Sequence, residues 1–363
     1  MRMIFHHPLP VVEDATAASG IRPWQMLQAF RSLGFEVDSV CGHSRERARA
    51  AAEVDARLRR GERYSFVYAE SCTEPTLLTD RHHLPLRPWL DFGLFARLKA
   101  HGVPIGLFYR DIYWRFPNYA PALAAWKRGV ARLFYRYDLL QYRRLLDRLY
   151  LPSLEMARHV PWFDPARMAA LPPGVIERSP PPRARSGTLK LLYVGGMGPH
   201  YRMHELFRAV AGLEGVMLTV CTRPAEWEAA RSEYPLPDSG RIRIVHKSGA
   251  DLVPLLDDAD LCMLCVEPHP YWAFAAPLKL YEYVGSQRPV VASRGTLAAQ
   301  FVEQQGIGWT VDYAADAIAR LLQSIRDSPA LLEARIEAAR RIAPQHTWLA
   351  RARQVAADLT RHQ

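Results

Sequence analysis

Ala276-Pro277-Leu278-Lys279-Leu280-Tyr281-Glu282-Tyr283-Val284-Gly285, followed by Arg288-Pro289-Val290-Val291-Ala292, decides how the chain is read. The first part reads as a short helix. Pro277 suits its first turn, where a missing N–H costs nothing, and Gly285 ends it. Residues 289–292 are an apolar run of the kind a parallel sheet buries. Lys279 and Glu282 are three apart and so share a helix face. The free N–H groups of a first helical turn make an anion site, with Lys279 beside it. Glu282, one turn on, can accept two hydroxyl hydrogen bonds from a ribose. Helix start, cation and carboxylate in that order suit a nucleoside diphosphate. The alternative is an ordinary strand-connecting helix with solvated charges.

Outward from this stretch the second half alternates strand and helix. Residues 189–194 read as a strand ending in Gly195-Gly196-Met197-Gly198, with a helix from about His204. Strands follow at 216–221, 241–245 and 261–266, and a short edge element at 307–311. Residues 315–341 read as helix, Pro344-Gln345-His346-Thr347-Trp348 breaks it, and a last helix runs to the end. The first half alternates likewise, with strands at 3–6, 36–41, 64–69 and 105–109 and shorter ones at 149–152 and 168–171. Residues 18–23 read as a turn before a helix at 24–33, and 45–60 as a charged helix. Between Pro172 and Gly187 the composition becomes proline-rich and polar, the best boundary in the chain. The expected class is α/β, with two doubly wound Rossmann-like domains facing a cleft. The first would span 1–174, a linker 175–188, the second 189–343, and a C-terminal helix 344–363.

Composition sets bounds. A chain of 363 residues, 49% hydrophobic and 23% charged, can bury two sizeable cores. The net charge of +10 and a pI near 9.5 point to nucleic acid, an anionic membrane surface or an anionic ligand. Five scattered cysteines, an odd number, argue for a reducing compartment without a disulfide framework. Cys262 and Cys265 have the spacing of half a zinc site, but no second pair exists, so core packing is expected. His82-His83 has no clustered partners, and neither a metal nor another cofactor is expected. The amino terminus lacks a signal-peptide apolar region. No apolar run reaches the roughly 18 residues of a membrane span. A cytoplasmic protein is expected, peripheral on the inner face of the plasma membrane if it meets lipid at all.

In doubly wound sheets, ligands bind outside the carboxyl ends of the strands. In the first domain those positions are His6-His7, Glu70-Ser71 and Arg110-Asp111. In the second they are Gly195-Gly196, Thr222-Arg223, His246-Lys247-Ser248-Gly249 and Glu267-Pro268. Asp111 is the first candidate for a general base that deprotonates an acceptor hydroxyl, and Glu70 the second. Arg110 could keep Asp111 ionised or bind an anionic acceptor; a structural Arg–Asp pair is the alternative. His6, Gly20 and Arg22 complete the acceptor side. Residues 126–148 interleave Lys127, Arg128, Arg132, Arg136, Arg143, Arg144 and Arg148 with Trp126, Leu133, Tyr137, Leu140 and other apolar positions. That segment suits an anionic lipid surface or is a solvated helix face. No RNA-recognition signature occurs, so no nucleic acid partner is expected.

Together these features resemble a GT-B glycosyltransferase, and within that class the chain is similar to glycosyltransferase family four. The likeness rests on Tyr193-Val194-Gly195-Gly196, on residues 277–283 before Pro289-Val290-Val291, and on His346-Thr347-Trp348. It implies a nucleotide-sugar donor in the carboxyl-terminal domain. Glu282 would hold the ribose. Gly195, Gly196, Lys279, Arg202 and Arg223 would hold the diphosphate, and the backbone near His246 the base. It implies that the final helix crosses back onto the first domain. It also implies transfer to a glycan or lipid-linked acceptor there, as in bacterial surface polysaccharide or glycoconjugate synthesis. The family signature has two glutamates eight apart, and the position eight before Glu282 is Phe274. The arginine that commonly follows the glycine of the first strand is replaced by Gly196. Glu267, Trp272 and Phe274 would shape the sugar pocket instead. The alternatives are a non-catalytic nucleotide-sugar or nucleic-acid binding protein on the same fold, or a GT-B epimerase.

Overall fold

The computed structural model describes residues 1–13, 15, 18–116, 119–120, 123–181, 187–198, 200–236 and 239–360. The chain divides into two compact units: Met1–Pro172 with Trp348–Gln363, and Pro173–Thr347. Part of the expected linker, 182–186, lies outside the described residues, as does the end of the expected C-terminal helix, 361–363. Val175, at the start of that linker, is buried in the second unit, where its N–H donates to the His346 carbonyl at 2.9 Å.

The first unit runs β1 (Arg2–His7), α1 (Ala18–Ser32), β2 (Glu36–Cys41), α2 (Ser44–Arg59), β3 (Val67–Glu70), α3 (Leu90–Ala100), β4 (Ile105–Phe108), α4 (Ala125–Leu145), β5 (Arg148–Leu151) and β6 (Met168–Ala170). The second runs β7 (Leu189–Val194), α5 (His204–Ala211), β8 (Val216–Cys221), α6 (Pro224–Ala230), β9 (Ile242–Val245), α7 (Val253–Asp258), β10 (Leu261–Leu264), α8 (Leu278–Gly285), β11 (Val290–Ser293), α9 (Leu297–Gln305), β12 (Gly308–Val311), α10 (Ala315–Asp327) and α11 (Pro329–Ile342). α12 (Trp348–Thr360) returns to the first unit. Each unit holds one six-stranded, all-parallel sheet, ordered β2-β1-β3-β4-β5-β6 and β12-β11-β10-β7-β8-β9.

Parallel sheets are covered on both faces, which is why their strands read as continuous apolar runs. In the second unit Leu189, Leu191, Tyr193, Leu261 and Met263 join one core with Leu206, Phe207, Ile318 and Leu322. Leu192, Val194, Cys262 and Leu264 join the other with Leu280, Val284, Val302 and Ile342. The alternation of side chains along a strand makes that division. It also sends Cys262 and Cys265 to opposite cores.

Three local readings change. Residues 18–23 are the start of α1 rather than a turn, and Pro23 sits inside the helix. A proline there has no N–H for the carbonyl four residues back, and the Ser19 carbonyl accepts from the Arg110 guanidinium at 3.1 Å instead. Residues 315–341 form two helices broken at Ser328, because Pro329 starts α11 in its first turn. Pro277 lies just before α8 as its cap residue, with extended backbone, and the helix proper starts at Leu278. In the first unit α12 lies over β4 and α1, and Gly106 is what allows it: a Cβ there would stand 2.9 Å from Leu359 and 2.8 Å from the Tyr150 ring.

Candidate functional sites at the two sheet edges

In each sheet the connections leave in opposite directions at one point, and the carboxyl ends there frame a crevice. In the second sheet this point lies between β7 and β10, in the first between β1 and β3.

The second unit brings most of its sequence-selected residues to that edge. α8 is tied to the end of β7 through its own tyrosine: the Val194 N–H donates to the Tyr283 hydroxyl at 2.9 Å. Gly195 follows directly. On the same helix, Glu282 beside Tyr283 and Lys279 one turn back form an ion pair of 2.7 Å with about a third of each side chain exposed (31% and 29%). Such a pair is worth little and gives way readily to a better partner. Lys279 and Lys247 both lie near the Cys221 thiol at the end of β8; burial raises that thiol's pKa and the two cations pull against it. Lys247, not singled out as a phosphate ligand in the sequence, is thus a second cation on this edge. The His246 ring is oriented by its Nδ1, 2.8 Å from the Thr222 carbonyl. The glycine loop, the start of α8, Lys279, Lys247 and the Glu282 carboxylate thus lie along the carboxyl edge of this sheet, where first-turn N–H groups and cations attract anions.

Other residues take different roles. The loops after β7 and β10 are joined: Trp272 Nε1–H donates to the His200 carbonyl at 2.9 Å, the Glu267 N–H donates to the Arg202 carbonyl at 2.8 Å, and the Arg202 and Glu267 side chains stand 3.6 Å apart. Both of those side chains are half exposed. Trp272 belongs to the hydrophobic core and tilts against Tyr201. Phe274, expected in the sugar pocket, is 1% exposed, with its ring against Tyr271. Arg223 is engaged with Glu226 at 2.9 Å. Glu226, unnoticed in the sequence, reaches the glycine loop and accepts the Met197 N–H at 3.0 Å.

In the first unit the decisive residue is Glu70, whose side chain is fully buried. Its Oε1 accepts from the Tyr68 hydroxyl at 2.8 Å and stands 3.3 Å from Arg22 Nε, while Arg110 is 3.9 Å from Oε2. The Arg22 guanidinium carbon sits over the Phe108 ring, 3.4 Å from its centre, and the side chain donates to the Pro172 carbonyl at 3.3 Å. It is a buried structural guanidinium rather than a free acceptor ligand. Gly20 lies inside α1, and a Cβ there would come within 2.5 Å of Ala15; it serves close packing, not a loop. His6 faces α3, where its Nε2 lies 2.8 Å from Asp91, whose carboxylate Arg47 grips through two nitrogens at 2.8 and 3.0 Å. Burial raises the Asp91 pKa, but His6 and Arg47 more than offset it and the carboxyl lies below its usual range.

The neighbouring His7 is the one on the Glu70 face. β1 and β3 pair with His6 opposite Ala69, so His7 and Glu70 are the next opposed positions. Burial, with Arg110, His6 and Arg47 nearby, pushes His7 down to about 3 against the Leu9 carbonyl, so its ring is neutral. The period-2 rule of strands was the signal that could have chosen His7 over His6.

Asp111 is partly buried and accepts from the Tyr113 N–H at 3.4 Å. Burial pushes its carboxyl up to about 6, with Arg110 pulling the other way. Arg110 makes its ion pair with Glu70, not with Asp111, which leaves Asp111 the less committed of the two carboxylates.

No protein-family model matches the sequence, and no curated protein matches it. Solved structures do match over the whole chain. Sucrose-phosphate synthase from Thermosynechococcus elongatus is 17% identical, with 100% of this chain and 99% of that chain covered at a TM-score of 0.65. HepE of Anabaena, solved in complex with UDP, is 14% identical over 99% of this chain and 100% of that one at 0.63. WaaG, a glycosyltransferase involved in lipopolysaccharide biosynthesis, is 14% identical over 99% of this chain and 100% of that one at 0.56. The likeness shows the fold: two Rossmann-like parallel-sheet units in one chain, the GT-B architecture.

Proposed function

We propose that the protein is a nucleotide-sugar-dependent glycosyltransferase. The second unit would hold the donor and the first an acceptor, a glycan or a lipid-linked sugar. The observation that carries this reading is the Lys279–Glu282 pair at the start of α8, tied through Tyr283 to the glycine loop after β7. On donor binding the pair would divide, Lys279 turning to the diphosphate and Glu282 to the ribose hydroxyls. In this reading the positive charge comes from Lys279, Lys247 and the first-turn N–H groups of α8, and no metal or cofactor is invoked. The fold supports it, since HepE has been solved with UDP, with UDP and glucose, and with UDP-glucose.

On the acceptor side Asp111 is the proposed general base. A carboxyl near pKa 6 is ionised at neutral pH and still basic enough to take a hydroxyl proton in the transition state. Glu70 would act through Arg110 and Arg22, as a positioning residue.

Among the described residues no helix is long and apolar enough to cross a membrane. We further propose peripheral contact with an anionic inner-membrane surface through α4. Its outer face exposes Trp126 and Leu133 at 68% and 64%, with Val130 and Leu140 in line and Lys127, Arg136, Arg143 and Arg144 on the exposed side. A lipid-linked acceptor would be reached from there.

The burial of Phe274 where a second carboxylate would stand favours one other reading, a binding protein that keeps the donor site without turnover. Slow hydrolysis of the donor in the absence of acceptor separates the two. The first test is calorimetric titration of UDP, GDP, CDP and ADP into wild type and Glu282→Ala. One nucleotide is expected to bind at micromolar strength, weakened by about 1–3 kcal/mol in the variant. Absence of binding, or an unaffected variant, would remove the donor site.

A further inference from the structure

The glycine loop after β7 already carries an anion. The Met197 N–H donates to Glu226 Oε2 at 3.0 Å, and the other oxygen of that carboxylate pairs with Arg223 at 2.9 Å. The loop is shaped for this. The Gly196 carbonyl accepts from the Tyr193 hydroxyl at 2.7 Å, and a Cβ at Gly196 would stand 2.8 Å from Glu226 Oε2. With no side chain at Gly196, the carboxylate can sit against the loop backbone. Glu226 projects from the first turn of α6, directly after β8, and its side chain is 28% exposed.

From this geometry we infer that Glu226 is a specificity-determining residue of the donor site, which disfavours a free nucleoside diphosphate relative to a sugar-capped one. The inference rests on the donor-site reading above. A phosphate resting on this loop meets a fixed negative charge within a few ångströms. A free diphosphate carries about one more negative charge at neutral pH than its sugar conjugate, because the terminal oxygen is no longer esterified. Repulsion from Glu226 therefore weighs more on the spent nucleotide than on the donor. After transfer the same carboxylate favours release of the product, with Arg223 held against it as a cation that either ligand must share.

The test is calorimetry of UDP and of UDP-glucose against wild type, Glu226→Gln and Glu226→Ala. The glutamine keeps an oxygen for the Met197 N–H and removes the charge; the alanine removes both, so a folding defect in one leaves the other to decide. Both variants are expected to bind UDP roughly tenfold more tightly, and UDP-glucose roughly twofold. That difference should shrink in half-molar salt, because it is electrostatic. Equal gains for the two ligands, or no gain, overturn the inference while Glu282→Ala still reports the donor site. If neither ligand binds any of the three proteins, the inference falls; the reading beneath it falls only if GDP, CDP and ADP fail to bind as well.

Discussion

The hydroxyl of Tyr283 on α8 accepts the backbone N–H of Val194, the last residue of β7, at 2.9 Å. One side chain thus joins the helix bearing Lys279 and Glu282 to the strand that opens the glycine loop. In Tyr283→Phe a buried N–H loses its partner, which costs about 1–3 kcal/mol. Urea unfolding should show that loss, and nucleoside diphosphate affinity should fall with it. An unchanged unfolding midpoint would mean that the bond contributes nothing to the donor edge.

The carboxylate between His6 and Arg47 is a structural centre. Asp91→Ala leaves Arg47 charged and buried without its partner, a change that typically costs about 3–5 kcal/mol. Thermal unfolding checks this. A melting temperature close to wild type would return His6 to the acceptor side.

Asp111 and Glu70 should separate in kinetics and stability. Asp111→Asn is expected to lower the transfer rate by about 10²–10⁴-fold and to abolish the acid limb of the rate profile near pH 6, with little change in unfolding. Glu70→Gln should chiefly destabilise, since it leaves Arg22 and Arg110 without a counter-charge. The reverse pattern would exchange their roles.

Two buried groups give opposite pH dependences. His7 falls to about 3 in the fold, through burial first, from about 6.5 unfolded. Its contribution is complete above that unfolded value and is lost as pH falls towards 3. Asp138 on α4 accepts the Thr76 N–H at 2.8 Å, and burial pushes its carboxyl up to about 7. Its contribution is complete below about pH 4 and is lost as pH rises through 7. Urea unfolding across pH should therefore lose a rising slope in His7→Gln and a falling slope in Asp138→Asn. A variant whose slope matches wild type removes that group from the account.

Vesicle sedimentation tests α4. Leu133→Ser with Trp126→Ser should release the protein from anionic vesicles without affecting nucleotide binding, and salt should weaken the wild-type contact. Retention of the double variant on the vesicles would make the face an ordinary solvated one.

Much of this chain is local in its sequence. The central strands were legible because a buried parallel strand is a run of Val, Leu, Ile and Cys between turn residues, and β7 and β8 begin and end where the pattern does. α3 is not legible in the sequence, because Leu90 to Ala100 has no clean apolar stripe and buries Asp91 among its apolar residues. Pro23 reads as a stop and hides the first turn of α1, where Arg110, far along the chain, supplies a hydrogen bond that the proline cannot. Lys279 and Glu282 were legible as a pair because helical spacing alone brings them together.

What the sequence determined by itself was the α/β class, the strand runs and the helix bearing Lys279 and Glu282, all of which follow from short-range periodicity. Only the tertiary structure decided which of two adjacent histidines faces Glu70, that Arg22 is a buried prop on Phe108, and that Glu226 rests on the glycine loop. Those outcomes depend on strand register and on side chains dozens of residues apart, where burial and charge are settled by neighbours that no local pattern names.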